Sequence, residues 1–250
     1  MKEYRADLHI HSVLSPCASL DMSPDNIIKS ATEKGIDIIG IADHNTTKQC
    51  GVIKQLGEEN DVLVLCGAEV NTKEEVHCLA FFENDKLLND FQIYLDQHLP
   101  VVKNKPELFG DQIWVDKYNN ILGEEDRLLI IGLNQSIDQV ANKVESLGGI
   151  FIPAHVDKSR FSVSSQLGFL AADLNVSAVE VSRLVDMEQF SEKHKWVNDY
   201  SIVANSDAHT PDQIGSVNTS LLLNEATFNE VKEALLGKNG RKIININLYS

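Results

Sequence analysis

The chain has 250 residues, a length that fits one large domain and is common for single α/β barrels. Its 37 acidic against 22 basic residues give a net charge of -15, which argues against binding along an extended duplex nucleic acid but leaves an oligonucleotide end open. Four widely spaced cysteines exclude a disulfide framework or a zinc ribbon. With no apolar signal region and no run long enough to span a bilayer, we expect a cytoplasmic protein without a membrane partner.

Short apolar runs typical of buried strands alternate along the chain with segments of helical spacing. Ser23 and Pro24 mark the beginning of the first helix, and Gly35 marks its end. The predicted strands are 5–10, 36–42, 62–66, 76–82, 150–153, 178–181, 201–204, 220–223 and 242–248. The other predicted helices are 46–57, 136–147, 164–172, 187–198 and 226–236.

About seven strand–helix units predict an α/β fold with a parallel sheet closed into a barrel. We therefore assign residues 1–250 to a single barrel domain. The less regular region around 83–134 is predicted to be an insertion with one or two helices, interrupted by Pro100 and Pro106.

Six of the eight histidines lie in short clusters with carboxylates, and these clusters follow the predicted strands. In a parallel barrel the carboxyl ends of the strands meet on one face, where active sites lie. Imidazole and carboxylate are ligands for divalent transition metals, so the clusters predict a multinuclear metal site with hydrolytic chemistry. The candidate residues are Asp7, His9, His11, Asp43, His44, Glu69, His77, His155, Asp207 and His209.

Several members of this set have an expected role. His9 and His11 form a His-x-His pair, and a strand directs both side chains to one face, where they can reach the same metal ion. Glu69 is well placed to bridge two metal ions, although a charge at a helix N-terminus is an alternative. We expect Asp7, and Asp43 with it, to accept a hydrogen bond from the ring N–H of a ligand histidine rather than to bind metal.

Two further candidate ligands have a second interpretation. His77 begins a predicted strand and could instead be a surface histidine. Cys17 lies in a loop after the histidine pair, where it could bind a metal or be an inert buried thiol.

Three cations follow the predicted strands close to the candidate ligands, namely Lys158, Arg160 and Arg183. Cations beside a metal cleft suit an anionic substrate, and arginine forks match phosphate oxygens. Each of them, taken alone, could equally be an ordinary surface charge. The sequence contains no nucleophile elbow, glycine-rich phosphate loop or dinucleotide fingerprint, so we expect the chemistry to come from the metals.

The chain resembles the PHP family, named for polymerase and histidinol phosphatase. The resemblance rests on five blocks in family order: DLHIHS (7–12), IADHN (41–45), GAE (67–69), PAH (153–155) and NSDAH (205–209). It implies a distorted seven-stranded, TIM-like (β/α) barrel with a cleft for two or three divalent metal ions, usually manganese, iron or zinc. It also implies hydrolysis of phosphoesters.

The same resemblance implies which residues hold each ion. The first ion would have His9, His11, Glu69 and Asp207; the second Glu69, His77 and His155; the third His44 and His209. Many family members continue the first block with Ser-Asp-Gly, and some place a metal-binding histidine there. This chain has Ser-Pro-Cys at 15–17, so either Cys17 replaces that ligand or the third site is weaker.

The leading hypothesis is a metal-dependent phosphatase or phosphodiesterase acting on a small phosphorylated substrate or a terminal phosphoester. Glu69 would hold two ions together, while Asp207 or His209 assists proton transfer. Arg160 and Arg183 would hold phosphate oxygens.

Three other functions compete with this hypothesis. A nuclease that trims single-stranded ends would need basic or aromatic residues along a groove, which the insertion could supply. An amidohydrolase usually has a lone aspartate in the last block and a modified lysine as the bridge, unlike this chain. A non-catalytic metal-binding regulatory module is disfavoured because the ligands of every block are present.

Overall fold

The fold is a mixed α/β structure built on a curled sheet of seven strands. The computed structural model describes residues 1–182 and 185–248. The strands are β1 (Lys2–Ile10), β2 (Ile38–Ile41), β3 (Leu63–Asn71), β4 (His77–Phe82), β5 (Ile113–Val115), β6 (Ile121–Glu124), β7 (Ile150–Pro153), β8 (Val179–Val181), β9 (Ile202–Ala204), β10 (Val217–Leu223) and β11 (Lys242–Leu248). The helices are α1 (Pro24–Glu33), α2 (Cys50–Glu59), α3 (Asp85–His98), α4 (Pro106–Phe109), α5 (Ile137–Ser146), α6 (Val163–Gln166), α7 (Met187–Lys193) and α8 (Phe228–Leu235), with a 3₁₀ helix at Lys195–Asp199.

The main sheet is mixed rather than parallel, with the strand order β11-β10-β1-β2-β3-β4-β7. Strands β1, β2 and β3 are parallel, whereas β4 runs antiparallel to both β3 and β7. Only residues 72–76 separate β3 from β4. A parallel return needs a crossover of about a dozen residues, so this short connection forces β4 to run back along β3. The prediction of a parallel sheet was therefore wrong at β4, and also at β10 and β11, which pair antiparallel.

Strands β8 and β9 form a separate parallel pair next to β7. The N–H of Ser177 donates to the carbonyl of Phe151 (2.8 Å), and the N–H of Val156 donates to the carbonyl of Glu180 (2.8 Å). After β9, residue Ala208 forms a parallel bridge to Ile10 of β1. The pair thus lies between β7 and β1, but the described strands do not form one continuous ladder. The α/β class is confirmed, while the closed seven-stranded barrel is not shown.

Apolar side chains pack in two clusters against the sheet, and this packing leaves the strand ends to polar groups. One cluster joins the sheet to α1, α2, α3 and α5, and the other joins it to α8. At the ends of the strands, buried polar side chains replace the apolar ones: Asp7, His9, His11, Asp43, Glu69 and Glu180 are at most 2% exposed. Such burial is unfavourable for polar groups unless they are paired or bind a ligand.

The region from 83 to 134 contains two helices and a small sheet. Helix α3 buries Leu88, Phe91 and Leu95 and contacts β4, so it belongs to the main body. Residues 99–135, here called the hairpin segment, contain α4 and the antiparallel pair β5–β6. No described helix is both long enough and apolar enough to cross a membrane.

Two buried glutamines attach the hairpin segment to the body and close it on itself. The side chain of Gln49 pairs with both backbone groups of Val115, donating at 3.0 Å and accepting at 2.8 Å. Gln112 donates to the carbonyls of Glu125 and Arg127, both at 2.7 Å, and accepts from the N–H of Leu129 at 2.9 Å. Each amide thus replaces backbone partners that the irregular chain lacks.

Candidate metal centre

The fold brings the predicted histidines and carboxylates to one edge of the sheet. His9 is the second-last residue of β1, Glu69 lies in β3, and His155 follows β7 directly. Asp207 and His209 come just after β9. His77 is the first residue of β4, and because β4 is antiparallel to β3 its beginning lies opposite Asn71, at the end of β3. A residue at the start of a strand therefore reaches the same cleft as residues at the ends of the others.

Glu69 lies at the centre of the cleft and contacts five imidazoles. Its Oε1 atom is 2.8 Å from Nδ1 of His77, 3.2 Å from Nε2 of His155 and 3.4 Å from Nε2 of His9. Its Oε2 atom is 3.1 Å from Nδ1 of His44 and 3.4 Å from Nε2 of His11. The carboxylate thus lies among five ring nitrogens, where it could contribute one oxygen to each of two ions.

Asp207 closes the cleft on the side opposite β3. Its Oδ1 atom is 3.4 Å from Nε2 of both His9 and His11. Its Oδ2 atom accepts from the ammonium of Lys158 at 2.7 Å. Asp207 adopts a positive φ of 52°, a left-handed conformation that is uncommon outside glycine but more accessible to aspartate than to most residues.

A third group of donors surrounds Cys17. Its Sγ atom is 3.2 Å from Nε2 of His209, whose ring stacks on that of His11 with the centroids 4.3 Å apart. Potential ligand atoms of His11, Cys17, His44 and His209 all lie within 4.8 Å of one another. Cysteine sulfur and imidazole nitrogen are a donor set suited to zinc or iron.

The unpaired ring nitrogens in the cleft fit bound cations. Among the described residues, Nε2 of His9, Nε2 of His11, Nδ1 of His44 and Nδ1 of His155 are buried without a hydrogen-bond partner. Buried polar atoms normally have partners. Three of these four nitrogens, those of His9, His11 and His44, face the Glu69 carboxylate, and their lack of a partner is explained if they bind metal ions. Potential ligand atoms lie within 4.8 Å of one another in three groups: His9, His11 and Glu69; His44, Glu69 and His77; and the Cys17 group.

Opposite charges keep the two cleft carboxylates ionised. Burial acts to raise the pKa of Glu69, but the imidazoles, led by His77 and His9, lower it well below its ordinary value. Burial also opposes ionisation of Asp207, yet His9 and His11 hold its pKa far below the usual range. Both groups are therefore anionic at neutral pH and are available to bind cations.

The histidines divide into two protonation classes. Burial lowers the pKa of His11, but the nearby carboxylates of Asp207 and Glu69, each 3.4 Å from its Nε2 atom, outweigh burial and raise the pKa to about 9. For His209, burial and the neighbouring His11 lower the pKa to about 4. At neutral pH a metal ion must therefore displace a proton from His11, while the imidazole of His209 is already neutral.

Glu180 supports the cleft histidines in the role that the sequence analysis assigned to Asp7. Its carboxylate lies 3.0 Å from Nδ1 of His9, and it accepts from the backbone N–H of His155 (3.0 Å) and the amide of Asn205 (2.9 Å). The carboxylate of Asp7 instead accepts from the backbone N–H groups of residues 206 (3.0 Å) and 215 (2.8 Å).

The expectation for Asp7 therefore does not match its contacts, because Asp7 holds the loops after β9 rather than a histidine ring. Glu180 could have been noticed from its sequence, since it is a carboxylate within the apolar run Ala178–Val181. A charge buried inside a strand needs a partner, and such a partner is generally part of a functional site.

Asp43 supports His11 through an intermediate hydroxyl. Its carboxylate accepts from the backbone N–H of Ser12 and from the hydroxyl of Ser15, both at 2.7 Å. The Ser15 hydroxyl in turn lies 2.9 Å from Nδ1 of His11. Asp43 thus orients His11 indirectly, through the Ser15 hydroxyl. The sequence motif alone did not reveal this link.

Two of the three predicted substrate-binding cations line the cleft, a space of about 340 Å³. Lys158 and Arg160 lie on its rim, and Arg183 lies outside the described residues. Sequence analysis missed Phe161, whose ring stacks on His77 with the centroids 4.8 Å apart. Its φ of 55° is unusual for a bulky residue and places the ring at the mouth of the cleft.

The site has the composition of a multinuclear metallohydrolase centre: a shared carboxylate, converging imidazoles and cations at the rim. The family model described as the PHP domain matches residues 7–245, so the chain belongs to the PHP domain family.

Sequence relatives share this domain without a described activity. The uncharacterized protein YqxK of Bacillus subtilis is 28% identical over 98% of this chain and 65% of its own length. The uncharacterized protein MJ1587 of Methanocaldococcus jannaschii is 37% identical over 28% of this chain and 46% of its own length.

Among solved structures, the lesion-specific endonuclease Q of Pyrococcus furiosus has a TM-score of 0.73 and 21% identity, covering 98% of this chain and 58% of that chain. Endonuclease Q bound to a 27-mer duplex with an abasic lesion also has a TM-score of 0.73 and 22% identity, and the match covers 98% of this chain and 59% of that chain. A protein of Bifidobacterium adolescentis described as a candidate metal-dependent phosphoesterase has a TM-score of 0.53 and 18% identity, and the match covers 82% of this chain and 88% of that chain. The chain thus spans less than two thirds of YqxK and of endonuclease Q, and the structural likeness establishes the fold.

Proposed function

We propose that the chain hydrolyses a phosphoester at a centre of two or three divalent metal ions. The observation that carries the proposal is Glu69, a buried carboxylate in contact with five imidazoles, at least three of which have a buried ring nitrogen without a partner. Membership of the PHP domain family supports the same chemistry.

The donor sets indicate how the ions would be held. His9, His11, Glu69 and Asp207 would hold one ion, and Glu69, His77 and His155 a second. His44, His209 and Cys17 would hold a third, with His11 close to that group. Manganese, iron or zinc, when bound, would supply Lewis-acid charge to the phosphoryl oxygens and lower the pKa of water. The carboxylate of Glu180, and that of Asp43 through the Ser15 hydroxyl, would keep the rings of His9 and His11 oriented for this task.

The chain's own side chains would bind the substrate and move protons. Lys158 and Arg160 at the rim would contact phosphate oxygens, and the ion pair with Asp207 holds the Lys158 ammonium over the cleft. Asp207 would hold the positive charge of a metal ion close to the reacting phosphate. The imidazole of His209 is neutral at neutral pH because its pKa is lowered to about 4, and its Nε2 atom would assist proton transfer only where no ion of the third group occupies it. Arg183 remains a candidate for the same anionic group.

A second candidate is a nuclease, and the likeness to endonuclease Q over 98% of the chain favours it. The net charge of -15 favours a terminal or locally opened phosphodiester over an extended duplex. Residues outside this chain's coverage make up over two fifths of endonuclease Q, so binding of a duplex there does not transfer directly.

The test combines metal analysis with a substrate panel. Protein reconstituted separately with manganese, iron or zinc should carry at least two ions per chain by elemental analysis. It should hydrolyse at least one member of a panel of phosphomonoesters, cyclic nucleotides, short single strands and duplexes with abasic sites. One ion or fewer would refute the multinuclear centre. Full loading without hydrolysis of any member would favour a non-catalytic metal-binding module.

A further inference from the structure

A second cavity adjoins the metal cleft on the side of α7. This side cavity, of about 600 Å³, is lined by residues 157–159, 164–165, 185–186, 189–190 and 193–194. Lys158 and Ser159 line both spaces, so the cleft and the cavity are separated by this one turn of chain. Its volume is within the range of sites for small organic ligands.

The wall between the two spaces is held in place by hydrogen bonds. The N–H of Lys158 donates to the carbonyl of His155 (2.9 Å), and the carbonyl of Lys158 accepts from the hydroxyl of Ser162 (2.6 Å). The carboxylate of Asp157 accepts from the backbone N–H of Ser182 at 2.6 Å and also from its hydroxyl. A substrate that spans the wall would therefore meet a preformed surface.

The side cavity suits a neutral polar group better than a second phosphate. Its two lysines, 158 and 193, are balanced by two aspartates, 157 and 186. The hydroxyl of Ser164 is buried and has no hydrogen-bond partner among the described residues. An unpaired buried hydroxyl is unfavourable, and a ligand hydroxyl or amine would satisfy it.

One wall of the cavity is aromatic. The ring of Phe190 packs against that of His194 with the centroids 4.8 Å apart, and the amide of Gln189 lies beside them. A flat aromatic face with nearby hydroxyl and amide groups matches a nucleobase and its ribose, since bases stack on aromatic rings and their edges form hydrogen bonds.

We propose that the side cavity binds the nucleoside portion of the substrate, which leaves across Lys158 when the phosphoester in the metal cleft is hydrolysed. This proposal rests on the proposed function. In the reaction a bond forms between a water oxygen and phosphorus, and the bond between phosphorus and the nucleoside oxygen breaks. The water loses a proton and the nucleoside oxygen gains one. The nucleoside could belong to a free nucleotide or to the end of an oligonucleotide.

The test fills the cavity from an exposed position on α7. Gln189→Trp places a large ring in the space, and Glu188→Trp is the matched control at the preceding exposed position, which does not line the cavity. Adenosine, without phosphate, should bind the wild-type chain in calorimetry even without metal. Gln189→Trp should weaken this binding at least about tenfold, and Glu188→Trp should not. Ser164→Ala should weaken it by a smaller factor, since one hydrogen bond is lost.

Hydrolysis supplies the second readout. For adenosine monophosphate, kcat/KM should fall about tenfold in Gln189→Trp, whereas ethyl phosphate should be hydrolysed within about twofold of wild type. A dinucleotide and a short single strand, tested alongside, distinguish a free nucleotide from an oligonucleotide end. Absence of adenosine binding, or equal effects of both tryptophan variants, would overturn the proposal while leaving phosphoester hydrolysis intact. Adenosine binding without hydrolysis of any ester would instead contradict the proposed function.

Discussion

The metal cleft and the hairpin segment solve the burial of polar groups in opposite ways. In the cleft, six imidazoles and two carboxylates meet, and four buried ring nitrogens have no hydrogen-bond partner within residues 1–182 and 185–248. In the hairpin segment, the buried amide of Gln112 satisfies three backbone groups that its own loop would leave unpaired. The cleft thus has several buried nitrogens that a ligand would satisfy, whereas the hairpin segment, residues 99–135, has one buried side-chain atom without a partner, Oδ1 of Asn104.

Backbone conformation shows the same contrast. Four residues at or beside the cleft, Asn45, His155, Phe161 and Asp207, have positive φ without being glycine. In residues 99–135, only Asn119, in a tight turn, does so outside glycine. Strained conformations persist where the surrounding structure holds them for a function. The comparison teaches that unpaired polar atoms and left-handed backbone concentrate at the cleft, which the hairpin segment approaches where Gly110 packs closely on the carbonyl of Pro16, next to Cys17.

Replacing the bridging carboxylate should give the largest effect. Glu69→Gln keeps the shape of the side chain but loses the charge that two ions would share, so activity on the best phosphoester should fall by about 10³-fold. The exposed Glu58→Gln is the control and should leave activity unchanged. Both variants are compared by steady-state hydrolysis at matched metal loading, with circular dichroism to confirm the fold. Wild-type activity in Glu69→Gln would refute the metal-dependent mechanism.

The hairpin segment should respond in the opposite manner. Gln112→Leu keeps the side-chain volume but leaves one buried N–H and two buried carbonyls without partners, which should lower the free energy of unfolding by about 3 kcal/mol. Metal content per folded chain should not change. Urea unfolding measures the loss, and Gln55→Leu at an exposed position is the control, expected within about 0.5 kcal/mol of wild type. Loss of metal from folded Gln112→Leu would show that the two regions are not independent.

The sequence predicted which candidate ligands would meet in the cleft because the histidines and carboxylates are concentrated in short blocks. His9 and His11 on one strand, and the Asp-Ala-His block at 207–209, can be identified without coordinates, and the structure brings both to one edge. What the blocks could not provide was the direction of β4. Five connecting residues reverse that strand, and this reversal explains how His77, at a strand beginning, reaches Glu69.

The supporting residues were harder to predict because their partners are distant in sequence. Glu180 and His9 are separated by 171 positions, and Asp7 contacts the backbone of residue 215 across 208 positions. Asp7 lies two residues before His9, so the two side chains share a face of β1, but the Asp7 carboxylate contacts the backbone of residues 206 and 215 instead of the histidine ring. Only the three-dimensional arrangement distinguishes Asp7 from Glu180.

Substitution of Cys17 tests whether this residue belongs to the metal-binding part of the cleft. If it is a ligand, Cys17→Ser should weaken one of the bound ions by roughly tenfold or more while the fold is retained, because serine is a poorer donor for soft metals. The other three cysteines are buried, so labelling with iodoacetamide reports on Cys17 in the folded chain. Metal loading should slow the labelling. Fast labelling that metal does not affect would remove Cys17 from the third group of donors.

The smallest effect is expected at the ionic contact between the hairpin segment and the body. The carboxylate of Glu125 pairs with Lys48 (2.6 Å) and Arg127 (3.1 Å). Burial acts to raise its pKa, but the two cations outweigh burial and lower it below the ordinary value of 4.5. A carboxyl group with a lowered folded pKa binds its proton more readily in the unfolded chain, so the stabilisation is present above pH 4.5 and is lost as the pH falls through the folded pKa.

Glu125→Gln should therefore reduce the free energy of unfolding at pH 7 by about 1 kcal/mol or less, since the lysine and arginine remain partly exposed to solvent. The difference from wild type should shrink as the pH is lowered below 4.5. Denaturant unfolding at pH 7 and at successively lower pH measures this convergence, with Glu58→Gln as a control that should show none. A constant difference at every pH would mean that Glu125 stabilises the fold through packing and that its charge contributes nothing measurable.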